Sequence, residues 1–493
     1  MNNILKYFVA LFLFSSFHLY GQKLENLPDS AFDTKISNQK MFHLWEIRPS
    51  IQNEELYSIA DSVFSTNKSA DYRMLSNHTR YKEYCIKYGS KILSGPMLGN
   101  ISKSGVNIWI RTSSPAEVEI RLKNTKHNKT SNKSKSTYES DLTTVCRLTG
   151  LQPNTVYQYD IYVNNVKFDT QEVFSFKTLN TDTSETRIVF GSCYHRIGLG
   201  NIKLHNTILK QNPHAMLLLG DVAVQDRLSD FGKHRADYLA RDMYPGWQKL
   251  TATTPVYASW DDHDYFDNDL SGIPKGFKKE DRDTVRMIFK NSNNNPSYGF
   301  EDTNEGVFFR TRIQSCDVIM LDTRYFRNGN KGSFLGEKQM EWLEKQLLDC
   351  KGPFIIISSG TMWSDYVSAG KDSWGVWDTL GRERIFQLIE KNKIAGVVFI
   401  SGDRHGARGF KIPRPSGYEF YEFEIAGLGA RGGPPATHPE WKTQLFGISG
   451  KYVFGKFTVN ATLKDPTLNF QLMGENENII FNLTLKRSEL TPK

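Results

Sequence analysis

Six apolar runs between residues 187 and 401 constrain this chain more than any other feature. They cover 187–190, 215–219, 255–260, 316–321, 354–358 and 396–401, and helical periodicity fills 336–347 and 381–392. A strand that is apolar at every position has no face to give to water. Such strands, alternating with helices, specify an α/β fold whose sheet is buried on both faces. Segments 418–426 and 452–486 are also strand-like and are expected to finish that sheet or cover its edge.

In layered α/β folds, ligands gather beyond the carboxyl ends of the strands. The six runs are followed in order by Gly191-Ser192-Cys193, Gly220-Asp221, Asp261-Asp262-His263-Asp264, Asp322-Thr323-Arg324, Ser359-Gly360-Thr361 and Gly402-Asp403-Arg404-His405. Alone, Gly-Asp is an ordinary turn or helix cap, and a single cysteine an ordinary buried thiol. Asp-Asp-His-Asp directly after an apolar strand resists that reading, because its charges repel unless cations or partners absorb them. The ordered set is a metal-ligand inventory on one rim. Carboxylate and amide oxygens suit Ca²⁺, Mg²⁺ or Mn²⁺, while imidazole and thiolate suit iron or zinc, so the mixture points to more than one metal.

Gly-Ser-Cys, Gly-Asp, Trp-Asp-Asp-His-Asp-Tyr-x-x-Asn-Asp, Leu-Asp-Thr-Arg and Ser-Gly-Asp-x-His, in this order, resemble the PhoD-like alkaline phosphatases of the calcineurin-like metallophosphoesterase group. The resemblance spans roughly 90 to 480. It implies a four-layer αββα metallophosphoesterase sandwich behind an N-terminal β-sandwich domain, phosphomonoesterase or phosphodiesterase activity outside the cytoplasm, and a site of Fe³⁺ with Ca²⁺, with Zn²⁺, Mn²⁺ or Mg²⁺ as alternatives. By the same resemblance Cys193 is a thiolate ligand of iron, Asp221 bridges the metals, Asn268 gives an amide oxygen, and Asp403 and His405 close the site. Asp261, Asp262 and Asp322 are ligands, orienting groups or caps, with Asp262 counted in the metal set. His263 protonates the leaving oxygen or holds the phosphate, and Arg324 is the phosphate clamp. Val224 stands where the family carries a tyrosine ligand, three residues after the bridging aspartate.

The rest of the chain frames this domain. Lys6 followed by the apolar 7–14 and a small residue, Gly21, reads as a signal peptide for export to periplasm, cell surface or medium, without twin arginines. Once it is cleaved, no integral membrane segment is expected. Residues 22–90 are polar with an amphipathic helix on Leu56, Ile59, Ala60, Val63 and Phe64. Residues 91–180 alternate as strands do, and Leu151-x-Pro-x-Thr-x-Tyr157 resembles the tyrosine corner of fibronectin type III domains, so a fibronectin-III-like β-sandwich is expected there. The catalytic domain then covers 187–486. The basic, Asn/Ser-rich 123–135 lacks aromatics for base stacking and reads as a solvated hairpin loop.

With 39% hydrophobic and 13% aromatic residues the chain is globular, not disordered. A net charge of +8 permits anionic partners without demanding nucleic acid, so a phosphate ester is the expected partner and the chain a monomer. Five scattered cysteines do not make a disulfide framework. Aromatics at 363–377 and the basic 431–435, with Arg408, fit a lid over the rim or a surface loop with a packed tryptophan. The expected function is an exported ester hydrolase using a metal-bridged hydroxide. The competing readings are a phospholipase- or nuclease-like diesterase of the same fold, and a catalytically inactive cell-surface binding protein.

Overall fold

The computed structural model describes residues 37–45, 47–123, 129–180, 185–327, 332–365 and 373–493. The apolar run read as a signal peptide and residues 124–128 of the basic stretch lie outside the described residues.

The six apolar runs do not share one sheet. Strands Glu185–Gly191, Ala215–Leu219 and Val256–Ser259 pair in parallel in a six-stranded sheet, completed by the antiparallel strands Val453–Asn460, Thr467–Gly474 and Ile479–Lys486. Strands Cys316–Met320, Phe354–Ser358 and Val397–Ser401 are the parallel centre of a seven-stranded sheet, flanked by Phe309–Ile313, Glu419–Ala426, Gly406–Pro413 and Gln444–Ile448. The single-sheet expectation fails because an apolar run shows only that both its faces are covered, and the cover here is a second sheet on one side.

Alternation along the strands divides the cores. Leu217 and Leu219 join Phe190, Val318, Met320, Ile356, Ile400 and Phe457 in one core shared by both sheets. Met216 and Leu218 point the other way, to Leu204, Ile208, Leu239 and Leu250 of the helices Ile202–Lys210, Phe231–Met243 and Pro245–Thr253. Ile319, Ile355, Ile357 and Phe399 pack on Leu343, Leu347, Ile385 and Phe386 of the helices Gly336–Asp349 and Thr379–Lys391.

Residues 92–177 form two small sheets around one apolar core, with Ile108, Ile110 and Cys146 from one and Val118, Ile120, Tyr159 and Ile161 from the other. The backbone N–H of Gln152 donates to the Tyr157 hydroxyl at 2.9 Å, tying the loop to the strand Val156–Val163. The helix Ile51–Phe64 buries Leu56, Ile59, Ala60, Val63 and Phe64 in the core that also takes the helix Phe231–Met243. The N-terminal segment is therefore part of the molecule's packing, down to Trp45, whose indole lies where a Cβ on Gly200 would be.

Candidate metal centre

The rim is built by strand ends whose backbone turns the wrong way for ordinary residues. Cys193 (φ +52°), His195 (+44°), Asp221 (+55°), Asp403 (+77°) and His405 (+35°) all occupy the left-handed region. Non-glycine residues hold it only where the surroundings insist, and they concentrate at functional sites. Gly220 (φ +110°) precedes Asp221 because a Cβ there would overlap Asp261. At Gly402 a Cβ would overlap the Ser192 hydroxyl, so these glycines let the strand-end loops converge.

The loop after Asp221 is held by Asp264. Its Oδ1 accepts the backbone N–H groups of Val222, Ala223 and Val224 at 3.2, 3.3 and 3.4 Å. Burial pushes the Asp264 carboxyl up to about 6 against these bonds. Val224 is fully buried in the apolar core, so its side chain offers no donor.

Three sets of donor atoms lie within 4.8 Å of one another: Cys193, His195 and His405; Asp221, Asp262 and His263; and Asp221, Asp261, Asp262 and Asp403. Cys193 Sγ is 3.4 Å from Asp221 Oδ2, so Asp221 stands between the sulfur–nitrogen set and the all-oxygen set. Asp221 Oδ1 and His195 Nε2 are buried and have no hydrogen-bond partner among the described residues. Orphaned buried acceptors cost free energy unless a cation takes them up. Donor chemistry and orphaned atoms together fit a metal centre.

Protonation states agree. Burial, then the Asp221 charge, pushes the Cys193 thiol well above its ordinary value, so without a cation it stays protonated. Burial and the neighbouring His405 and His263 hold His195 well below the imidazole range. Burial and the Arg431 charge bring His405 down to about 3, so both rings are neutral, as ligands must be. Burial lifts Asp221 far above the carboxylate range, with Asp262 and Asp261 adding to it against His263. Burial also acts on Asp262, but Arg324, His263 and the Asp269 N–H overcome it and hold that carboxyl below the usual range. The site carries more negative charge than its protein cations neutralise.

His263 is oriented by a residue the sequence reading passed over. Its Nδ1 is 2.5 Å from Asp226 Oδ1. Burial works against the imidazolium, but Asp262, Asp221 and Asp226 raise His263 well above its ordinary value.

Of the residues singled out from sequence, Cys193, Asp221, Asp262, His263, Asp403 and His405 come together. The Asn268 side chain is exposed and its amide donates to Asp269 Oδ2 at 2.9 Å, while the Asp269 N–H donates to Asp262 Oδ2 at 2.7 Å. Arg324 is fully buried, with Nε on Asp261 Oδ1 at 2.5 Å and Nη2 3.7 Å from Asp262 Oδ1, so its charge is set against these two carboxylates. Asp322 accepts from Trp260 Nε1, Arg324 N, Tyr325 N and Val307 N, which spends it on the scaffold. His195 and Asp226 were missed. Their only signal was spacing, two residues after Cys193 and five after Asp221.

The lid expectation changes as well. Trp374 is buried, stacked on Trp363 at 4.6 Å and 3°, and its Nε1 donates to Ser359 Oγ. Residues 366–372 lie outside the described residues. Arg408 is buried in the strand Gly406–Pro413, where Nη1 donates to Arg404 O and pairs with Glu424, and Nη2 donates to Pro434 O. It pins residues 434–435 beside His405.

Residues 221–454 match the family model of the PhoD-like phosphatases, and residues 89–180 match that of a domain of unknown function, DUF7800. A solved structure of PhoD superposes with a TM-score of 0.64 at 17% identity, over 81% of this chain and 89% of that one. Purple acid phosphatase PPD1 from yellow lupin (Lupinus luteus) seeds superposes with a TM-score of 0.59 at 14% identity, over 80% of this chain and 75% of that one. At these identities the likeness is one of fold, mixed α/β with several sheets. No curated protein sequence matches the chain. Among the described residues, no helix is long and apolar enough to cross a membrane.

Proposed function

Because the chain belongs to the PhoD-like phosphatase family and is a phosphoric ester hydrolase, we propose that it is an exported, metal-dependent phosphatase or phosphodiesterase acting at the Asp221 rim. The observation that carries this reading is the convergence of Cys193, Asp221, Asp262, His263, Asp403 and His405 on strand ends held at positive φ. In this reading the described elements form an αββα sandwich over 187–486 behind a fibronectin-III-like sandwich over 91–180 and helices in 22–90, and the chain works as a monomer.

Cys193, His405 and Asp221 would hold one ion, and Asp221, Asp262 and Asp403 the other, iron and calcium being the pair that family resemblance implies. Bound ions would supply a lowered pKa for water and neutralise phosphoryl charge. The protein's own groups do the rest. Arg324 sets its charge against Asp261 and Asp262, and Asp264 fixes the Asp221 loop. Asp226 takes His263 Nδ1, which leaves Nε2 to deliver a proton to the leaving oxygen of the ester.

The test compares metal content and hydrolysis of p-nitrophenyl phosphate and bis-p-nitrophenyl phosphate for wild type and Asp221→Asn. Bound metal with activity lost in the variant is the expected result. High turnover of the diester with little of the monoester would select the phospholipase- or nuclease-like reading. A wild-type protein that binds no metal and cleaves neither ester after metal supplementation would leave the cell-surface binding protein.

A further inference from the structure

We propose that Cys193, His195 and His405, with Asp221, form a site selective for a zinc-class divalent ion, and that His195 is the ligand which makes it so. This rests on the metal-dependent reading above and goes beyond it in assigning a ligand and a metal class.

The donors are one sulfur and two imidazoles within 4.8 Å of one another, and a carboxylate oxygen 3.4 Å from the sulfur. Thiolate and imidazole together are the donors of four-coordinate zinc. His195 is built for the task. It is 3% exposed, its backbone is held at φ +44°, and its Nδ1 is 2.6 Å from Gln225 Nε2, so the ring serves as a ligand with the Gln225 amide turned to set Oε1 against an Nδ1–H. That leaves Nε2, a buried nitrogen with no hydrogen-bond partner among the described residues. The His195 ring lies 5.4 Å from the His405 ring, nearly perpendicular to it.

A ferric ion prefers hard anionic oxygen, and among the described residues no phenolate is at hand. Val224 is fully buried with its N–H on Asp264. The Tyr194 hydroxyl, next to Cys193, is spent on His205 Nε2 at 3.2 Å. The hard donors lie on the other side of Asp221, in Asp261, Asp262 and Asp403, where a second ion of the magnesium, manganese or calcium class would sit. The geometry thus sorts the donors by softness about one shared carboxylate.

The experiment strips the full chain with chelator and titrates it with Co²⁺, then with Zn²⁺ in competition, and separately offers Zn²⁺ and Fe³⁺ together. The expected result is a sulfur-to-cobalt charge-transfer band that saturates at one ion per chain and is abolished by Zn²⁺. Cys193→Ser should lack the band. His195→Gln should keep it while binding Zn²⁺ about 10–100-fold more weakly. These wild-type spectra do not depend on any variant folding. Iron retained in preference to zinc, or wild-type zinc affinity in a folded His195→Gln, would overturn the assignment. A protein that holds iron and cleaves esters would refute this inference and leave the proposed function standing, whereas one that binds no cation and cleaves no ester would refute both.

Discussion

His263 Nδ1 and Asp226 Oδ1 lie 2.5 Å apart, joining the helix Asp262–Tyr265 to the loop that follows Asp221. The contact fixes which ring nitrogen faces the site and supports the imidazolium. Asp226→Asn should therefore lower kcat by roughly 100-fold, the scale of a compromised general acid, while KM moves by no more than about twofold. Steady-state kinetics on an aryl ester checks this. Full kcat in the variant would remove the pair from proton transfer.

Asp264 serves the same loop from the other side. Asp264→Ala would strand the N–H groups of Val222, which is shared between both carboxylate oxygens, and of Ala223 and Val224, which each reach Oδ1. A buried donor left without a partner costs about 1–3 kcal/mol. Because the loop sets the Asp221 carboxylate, metal affinity should fall with it, by about 10–100-fold. Urea unfolding of the metal-free protein and equilibrium dialysis with Zn²⁺ and Mn²⁺ separate the two effects. Lower stability with unchanged affinity would make Asp264 a structural cap only.

The N-terminal segment reaches the candidate ligand His195 through Gly200 and Asn38. Trp45 lies against Gly200, one residue past the helix His195–Leu199. Asn38 Nδ2 donates to Asp237 Oδ1 at 2.7 Å, and Arg196 Nη1 donates to Asn38 Oδ1 at 3.3 Å, so the residue after His195 is anchored by the short helix Asn38–Phe42. Gly200→Val should push Trp45 out and cost about 1–3 kcal/mol, the usual scale of overpacking. Zinc affinity should drop with stability, since the displaced turn carries His195. Unchanged zinc binding in this variant would show the segment to be packing alone.

How much of this was legible in the sequence depended on distance along the chain. The strands from Ala215 to Leu219 and from Phe354 to Ser358 were legible to the residue, because an unbroken apolar run between polar turns has few other solutions. Their division between two sheets was not, since partner choice is settled by the other face of the strand, as Leu217 against Met216 illustrates. Candidate ligands ending an apolar run, such as Asp221 and Asp403, announced themselves. His195 and Asp226 did not, because an isolated histidine or aspartate in a loop acquires meaning only from what the fold sets beside it. Arg324 misled for a related reason. A guanidinium among strand-end acids suits phosphate and carboxylate alike, and its Nε lies 2.5 Å from Asp261 Oδ1, a pairing that the sequence did not announce.

His205, His214 and His234 are each brought down to about 4 by burial. Their rings serve the backbone as neutral groups: His214 Nδ1 accepts from Arg187 N at 2.9 Å, and His234 Nε2 lies 2.9 Å from Leu228 O. In the unfolded chain they titrate near 6.5. Between about 6.5 and 4 these three rings thus bind more protons in the unfolded state than in the folded one, so the stability they contribute is fully present above 6.5 and is lost as the pH drops through this window. One ring kept neutral contributes up to about 3 kcal/mol, at about 1.4 kcal/mol per pH unit. His214→Asn retains an acceptor for the Arg187 N–H and removes one titrating group. In chelator, to exclude ligand titration, the slope of urea-unfolding free energy against pH between 7 and 4.5 should be lower in the variant than in wild type by up to about one proton, because buried carboxyls such as Asp264 and Glu422, raised to about 6 and about 7, act equally on both. Equal slopes would mean that the His214 ring accepts its proton without leaving the folded state.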